Sequence, residues 1–168
     1  MFYKVNLMNI SDQLFKEKIK PLFSQAVFCS VATVNEQGMP HVTPIGSVVL
    51  MDKSHGWFFQ KFTKNISSNS KHCEYATIMA VNDGRWYWLK SLLKGHFNTP
   101  PAMRLIVRLG NLRPATEAEV HKFKRRVKLF KHTKGYVKIW QDMTEIREFE
   151  IIEYKPVFIG QMTSQQFN

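Results

Sequence analysis

The chain has 168 residues, 44% hydrophobic and 22% charged, which is enough apolar material for one core and excludes a disordered tail or a fibrous repeat. Its 24 Lys and Arg against 13 Asp and Glu leave a formal charge of +11, which favours anionic partners without specifying a fold. No stretch reaches the roughly 18 uncharged apolar residues of a membrane span, and the N-terminal run Met1–Ile10 is broken by Lys4, Asn6 and Asn9 with no cleavage pattern behind it. Cys29 and Cys73 are too few for a disulfide framework. The expectation is a single domain over residues 1–168, in the cytoplasm, with no membrane partner.

In chain order, Ser11 is a helix N-cap candidate ahead of Leu14, Phe15, Ile19, Leu22 and Phe23 at helical spacing, predicting a helix that ends near Gln25. Val27–Val34 is β-branched and nearly alternating, Asn35–Gly38 supplies a turn, and Pro40–Leu50 reads as the returning strand. Asp52–Gly56 is a second turn before a third strand, Trp57–Gln60. Thr63–Lys71 is polar and predicts a turn entering one or two helical turns, and Tyr75–Val81 resumes as strand. Trp86–Phe97 is ambiguous; its Trp86, Trp88 and Leu92 suit a dimer interface or a cap on a barrel, with ring stacking and a proton-donor role for His96 as the functional alternative. Met103–Arg113 is a strand with a bulge near Gly110. Thr116 to Glu119 is a capping box opening a helix with Val120, Phe123, Val127 and Phe130 on its apolar stripe, and the lysines from Lys122 to Lys134 form its solvated side. Phe149–Tyr154 and Pro156–Gly160 end the chain as strands. Strands in hairpin order with few helices predict a mainly β, α+β fold: an antiparallel barrel or sandwich.

Common catalytic signatures are missing. There is no G-x-G-x-x-G, no Walker-type glycine loop and no G-x-S-x-G elbow, so a phosphate has to be held by side chains and turn amides. The six histidines show no zinc-site spacing, and no metal site is expected.

A specific pattern lies in Phe28–Val34, Gly38–Pro44, Trp57–Gln60 and Thr63–Asn69, followed by Met103–Gly110, Thr116–Glu119 and Gly160–Thr163. This ordered set resembles the split barrel of the pyridoxamine 5′-phosphate oxidase-like family, which binds FMN. The resemblance implies an antiparallel split β-barrel, a homodimer with sites at its interface, and a flavin-dependent oxidoreductase of unknown substrate and electron donor. FMN needs a cation and hydroxyl or amide donors at its phosphate and strand backbone at its ring. The resemblance assigns Thr63, Lys64 and Asn65 to the phosphate, and Thr43, Ile45, Gly46, Ser47, Phe59 and Gln60 to the ring. Three of them also have a plain structural reading: Lys64 as a solvated turn lysine, Gly46 as a bulge, Thr43 as a strand threonine. Thr43 stands where the oxidases carry a phosphate-binding arginine, so Arg104 or Arg108, from the same or a second subunit, is the expected replacement. No pyridoxine-phosphate segment is recognisable after Gly160, which points away from pyridoxamine phosphate as substrate and leaves FMN, deazaflavin or haem as cofactor. The alternative class is a nucleic-acid-binding β-barrel, for which the net charge and interleaved aromatics supply the ingredients.

Overall fold

The computed structural model describes residues 5–6, 10–61 and 63–163, so most of the Met1–Ile10 run lies outside it. The Ser11 hydroxyl accepts from the Leu14 N–H at 3.1 Å, as the N-cap reading requires. Helix α1 (Asp12–Leu14), a π-helical turn (Phe15–Ile19) and α2 (Lys20–Gln25) follow without a break and bury Phe15, Ile19, Leu22 and Phe23. The π turn ends two residues before Pro21, which has no N–H to return to the helix.

The strands are β1 (Val5–Asn6), β2 (Cys29–Val34), β3 (Pro40–Ile45), β4 (Val49–Leu50), β5 (His55–Phe59), β6 (Tyr75–Val81), β7 (Ala102–Pro114) and β8 (Glu145–Pro156). They form one 8-stranded antiparallel sheet in the order β3-β2-β6-β7-β8-β5-β4, with β1 added to β8. The sheet is not closed. The predicted single strand Pro40–Leu50 is therefore two: β3 ends with Ile45 opposite Cys29 on one sheet edge, and β4 pairs with β5 on the other. Residues 46–48 carry the chain between edges that no single straight strand can serve. β7 and β8 form the longest pairing, and the expected irregularity sits between Leu109 and Leu112. The predicted pair of C-terminal strands is also corrected: β8 is one strand from Glu145 to Pro156, where the missing proline N–H ends the ladder, and Gly160–Thr163 is a 3-10 turn.

Inward residues of β2, β6, β7 and β8 alternate, and with Phe15, Ile19, Leu22 and Phe23 they make the main core. β5 is buried on both faces. Phe58 stacks on Phe149 in that core, while Trp57 and Phe59 face a second core of Phe123, Val127 and Ile146 beneath α5 (Glu117–Arg126) and α6 (Lys134–Trp140). Gly56 shares the Phe58 face of β5, and a Cβ there would sit 2.3 Å from the Phe149 ring and 2.6 Å from the Val49 carbonyl oxygen. Gly56→Ala is accordingly expected to lower stability by about 1–3 kcal/mol, read as a lower denaturation midpoint at unchanged slope.

The capping box is present, with Thr116 Oγ1 accepting from the Glu119 N–H and Glu119 accepting from the Thr116 N–H. Arg113 joins it through both Glu119 and Glu148, and this guanidinium holds the Glu119 carboxyl down at about 2. Phe123 and Val127 are buried as predicted, whereas Phe130 is half exposed against Trp140. Arg126 departs from the solvated side assigned to the basic stretch: it is half-buried and donates to three backbone carbonyls. The ambiguous Trp86–Phe97 segment resolves into α4 (Arg85–Lys94), closed by Gly95 at φ 72°. Its Trp88 packs inward on Phe97, but Trp86 and Leu92 neither cap the barrel nor join a core.

Candidate functional site

β5 delivers the chain through Gln60 into α3 (Lys64–Asn69), and α3 is fastened to β2 by a buried bond from Asn69 Nδ2 to Thr33 Oγ1 at 2.9 Å. Beside α3 is an open cleft of about 500 Å³ lined by Gln60, Thr63, Lys64, Ser67, Ser68, Lys71, Leu112 and Glu145. The lysines and hydroxyls lie along one side because Lys64, Ser67 or Ser68, and Lys71 recur at helical spacing. Thr63 stands at the N-cap position yet makes no capping bond, and its Oγ1 is buried without a hydrogen-bond partner. An unsatisfied buried hydroxyl costs about 1–3 kcal/mol, so this atom marks a place where a polar ligand adds a partner.

Behind the cleft, Gln60 Nε2 donates to Ser67 Oγ, and Gln60 Oε1 accepts from Arg147 Nε at 2.7 Å. Arg147 Nη1 donates to the Gly110 carbonyl at the β7 bulge, 2.9 Å away. Burial lowers the Arg147 pKa, but a guanidinium remains charged at neutral pH. Among the described residues no carboxylate lies at ion-pair distance from it. The chain Gly110–Arg147–Gln60–Ser67 thus couples a cation to the hydroxyl row of α3. Glu145, whose carbonyl accepts from the Gln60 N–H at 3.0 Å, is the acid among the lining residues.

Of the residues expected from the sequence, Thr63, Lys64 and Gln60 come together in this cleft, while Asn65 is exposed beside it and is not a lining residue. Thr43 is half-buried on β3 and Ile45 is a core residue. Ser47 is buried, and its Oγ accepts from the Phe59 N–H at 3.0 Å and donates to the Phe59 carbonyl at 3.4 Å. The Phe59 side chain is buried against Trp57 and Phe123. The Phe59 N–H and carbonyl are thus both engaged by Ser47 within the chain. Gly46 is likewise approached by its own chain, a Cβ there meeting the Val27 carbonyl at 3.3 Å. Arg108 ion-pairs with Glu150 and lines a different cleft, of about 580 Å³, with His55, Glu74 and Glu148. Within one chain, neither Arg108 nor Arg104 reaches the α3 cleft.

Ser67, Ser68 and Lys71 were absent from the expected site, as was Arg147, which lines the other cleft and reaches this one through Gln60. The spacing from Lys64 to Lys71 was a usable signal for the first three. Arg147 had none, because it arrives from β8 through the register that pairs it with Phe58. Among the described residues no group of three or more His, Cys, Asp or Glu side chains is placed to hold a metal ion.

Two lysines and three hydroxyls, one of them the orphaned Thr63 Oγ1, fit the phosphate end of a nucleotide-like cofactor. The open antiparallel sheet, with its edges split at residues 46–48, is a flavin-binding-type split barrel. The chain belongs to the pyridoxamine 5′-phosphate oxidase family, whose model matches residues 15–161. A search of curated proteins returns no match. The fold is similar to that of an FMN-binding protein from Syntrophomonas wolfei subsp. wolfei, with 15% identity, 88% of this chain and 89% of that chain covered, and a TM-score of 0.61. It is also similar to HupZ from Group A Streptococcus, with 12% identity, 89% and 99% covered and a TM-score of 0.55. An F420 reductase shows 10% identity, 81% and 94% covered and a TM-score of 0.55.

Proposed function

We propose that the chain is an FMN-binding oxidoreductase acting as a homodimer, with the FMN phosphate in the α3 cleft. The observation that carries this reading is the buried, unpartnered Thr63 Oγ1 among Lys64, Ser67, Ser68 and Lys71. Bound FMN would supply hydride or electron transfer. In that role Lys64 and Lys71 neutralise the dianion, Thr63, Ser67 and Ser68 donate to its oxygens, and Gln60, held from behind by Arg147, keeps Ser67 in place. The Phe59 amide does not serve the ring, so the ring contacts fall to the remaining β3 backbone and to the second copy, which can also bring Arg104 or Arg108. The relatives support a flavin or deazaflavin before any other ligand class, and the proposed location is the cytoplasm.

The test is the absorption spectrum of the protein as purified, followed by titration with FMN. A yellow protein with a flavin band, or stoichiometric FMN uptake by colourless protein, is expected. A Soret band with no flavin uptake, or nucleic acid released by high salt with no flavin uptake, overturns the reading. Sedimentation of the loaded protein is expected to give a dimer; a loaded monomer would remove the second copy from the site.

A further inference from the structure

We propose that the outer face of α4 docks the protein on the surface of an anionic lipid bilayer, lying among the headgroups without crossing. The inner face of this helix is anchored to its own chain. Tyr87 OH donates to the Thr99 carbonyl at 2.6 Å, Trp88 Nε1 donates to the Asn82 carbonyl at 2.7 Å, Ser91 is buried, and Tyr87 and Trp88 pack against Phe97. A soluble helix anchored in this way normally turns charge outward. Here the opposite side carries Trp86 at 74% exposure, Leu89 at 46%, Leu92 at 62% and Leu93 at 80%. At about 100° per residue these four cover an arc of roughly 120° centred opposite Tyr87 and Ser91.

The charges around that arc select the occupant. By the same spacing Arg85 falls within the arc, Lys90 just beyond its edge and Lys94 toward the Tyr87 side; all three are exposed, no acid lies within α4, and Asp83 precedes it by two residues. A two-fold contact between copies of this face would bring the three cations against their own counterparts with no carboxylate on the helix to pair them. An anionic bilayer satisfies both features: Trp and Leu enter the boundary between headgroups and acyl chains, while Lys and Arg extend to the phosphates. The 10-residue helix is too short to span, and among the described residues no helix is long and apolar enough to cross a membrane. This surface departs from the sequence-based expectation of no membrane partner, which addressed spanning segments. The inference is independent of what occupies the α3 cleft.

The whole chain should be co-sedimented with phosphatidylcholine vesicles and with vesicles containing about 30 mol % phosphatidylglycerol. Binding to the anionic vesicles is expected, about tenfold or more tighter than to the neutral ones, weakened by salt, and accompanied by a blue shift of tryptophan emission that Trp86→Phe largely removes. Leu89→Glu with Leu93→Glu, and separately Lys90→Glu with Lys94→Glu, are each expected to weaken binding about tenfold or more. Circular dichroism checks that each variant is folded, and the Trp86→Phe emission test stands if one is not. Equal binding to both vesicle types, no binding, or folded variants that bind like the parent would overturn the proposal. So would a self-associated parent that ignores vesicles and becomes monomeric in the leucine variant, since the face would then belong to a second copy.

Discussion

Arg126→Met is expected to destabilise the protein by about 3 kcal/mol or more, because it leaves carbonyls without a donor in a place that water does not readily reach. Arg126 ends α5, and its guanidinium donates to the Val48 carbonyl at 3.1 Å, the Ala26 carbonyl at 2.5 Å and the Phe23 carbonyl at 3.4 Å. Phe23 lies in the last turn of α2 and Ala26 is its C-cap, so a side chain 100 residues away caps that helix and supplies the positive charge its C-terminal dipole favours. The same fork holds Val48, where the chain crosses between the sheet edges. Burial lowers the Arg126 pKa. The neighbouring Cys29 thiol is pushed up to about 12 by burial and stays protonated, so it offers no counter-charge. Denaturant titration of Arg126→Met should show the lower midpoint. Arg126→Lys should recover a minor part of the loss, since an ammonium is a point charge that cannot span three carbonyls. The exposed neighbours provide the control: Lys124→Glu with Arg125→Glu should cost only about 1 kcal/mol through the α5 C-terminal dipole, well short of the Arg126→Met loss, and leave flavin affinity nearly intact. A full-size loss in that control and none in Arg126→Met would show that charge on α5, and not the carbonyl fork, is what matters.

Lys64→Ala is expected to weaken FMN binding about tenfold or more while leaving riboflavin binding nearly unchanged, because the phosphate is what distinguishes the two ligands and a charge-assisted contact is worth roughly that factor. Thr63→Val sharpens the test. It removes a hydroxyl whose oxygen is buried without a partner, so the ligand-free protein should be as stable or more stable while its FMN affinity falls. A threonine with a purely structural role would show the reverse, a stability loss with affinity intact. Paired FMN and riboflavin titrations on both variants, together with melting curves of the ligand-free proteins, decide the matter. Equal losses for both flavins in Lys64→Ala would remove Lys64 from the phosphate.

The local signals that read correctly are those in which neighbouring residues carry the whole interaction. The Ser11 cap, the Thr116–Glu119 capping box, the short polar helix after Thr63 and the β7 irregularity near Gly110 each close within a few residues, so composition and spacing suffice to find them. The family likeness worked for a related reason: an ordered series of short motifs encodes an order of strands. Within the site, Thr63 and Lys64 were legible because they share a turn.

The remainder was settled by partners distant in sequence. Pro40–Leu50 reads as one strand because its β-propensity is continuous, but which edge each half joins depends on β2 and β5. Phe59 and Ser47 look available to a ligand until the folded chain joins them, 12 residues apart in sequence, through hydrogen bonds. Arg126 and Arg147 sit among other charged residues with nothing local to distinguish them, and become structural when burial leaves their guanidinium groups facing carbonyls brought from elsewhere. In α4 the sequence shows aromatic and aliphatic residues on all sides; packing against Phe97 decides which face is inner and leaves Trp86, Leu89, Leu92 and Leu93 outside. The capped helices, most strand positions and the family follow from periodicity, adjacent contacts and motif order, all of which are local to the chain. The tertiary structure decided which cations are buried, which backbone groups remain open to a ligand and which apolar face is exposed, because burial is a property of the assembled surface and not of any one segment.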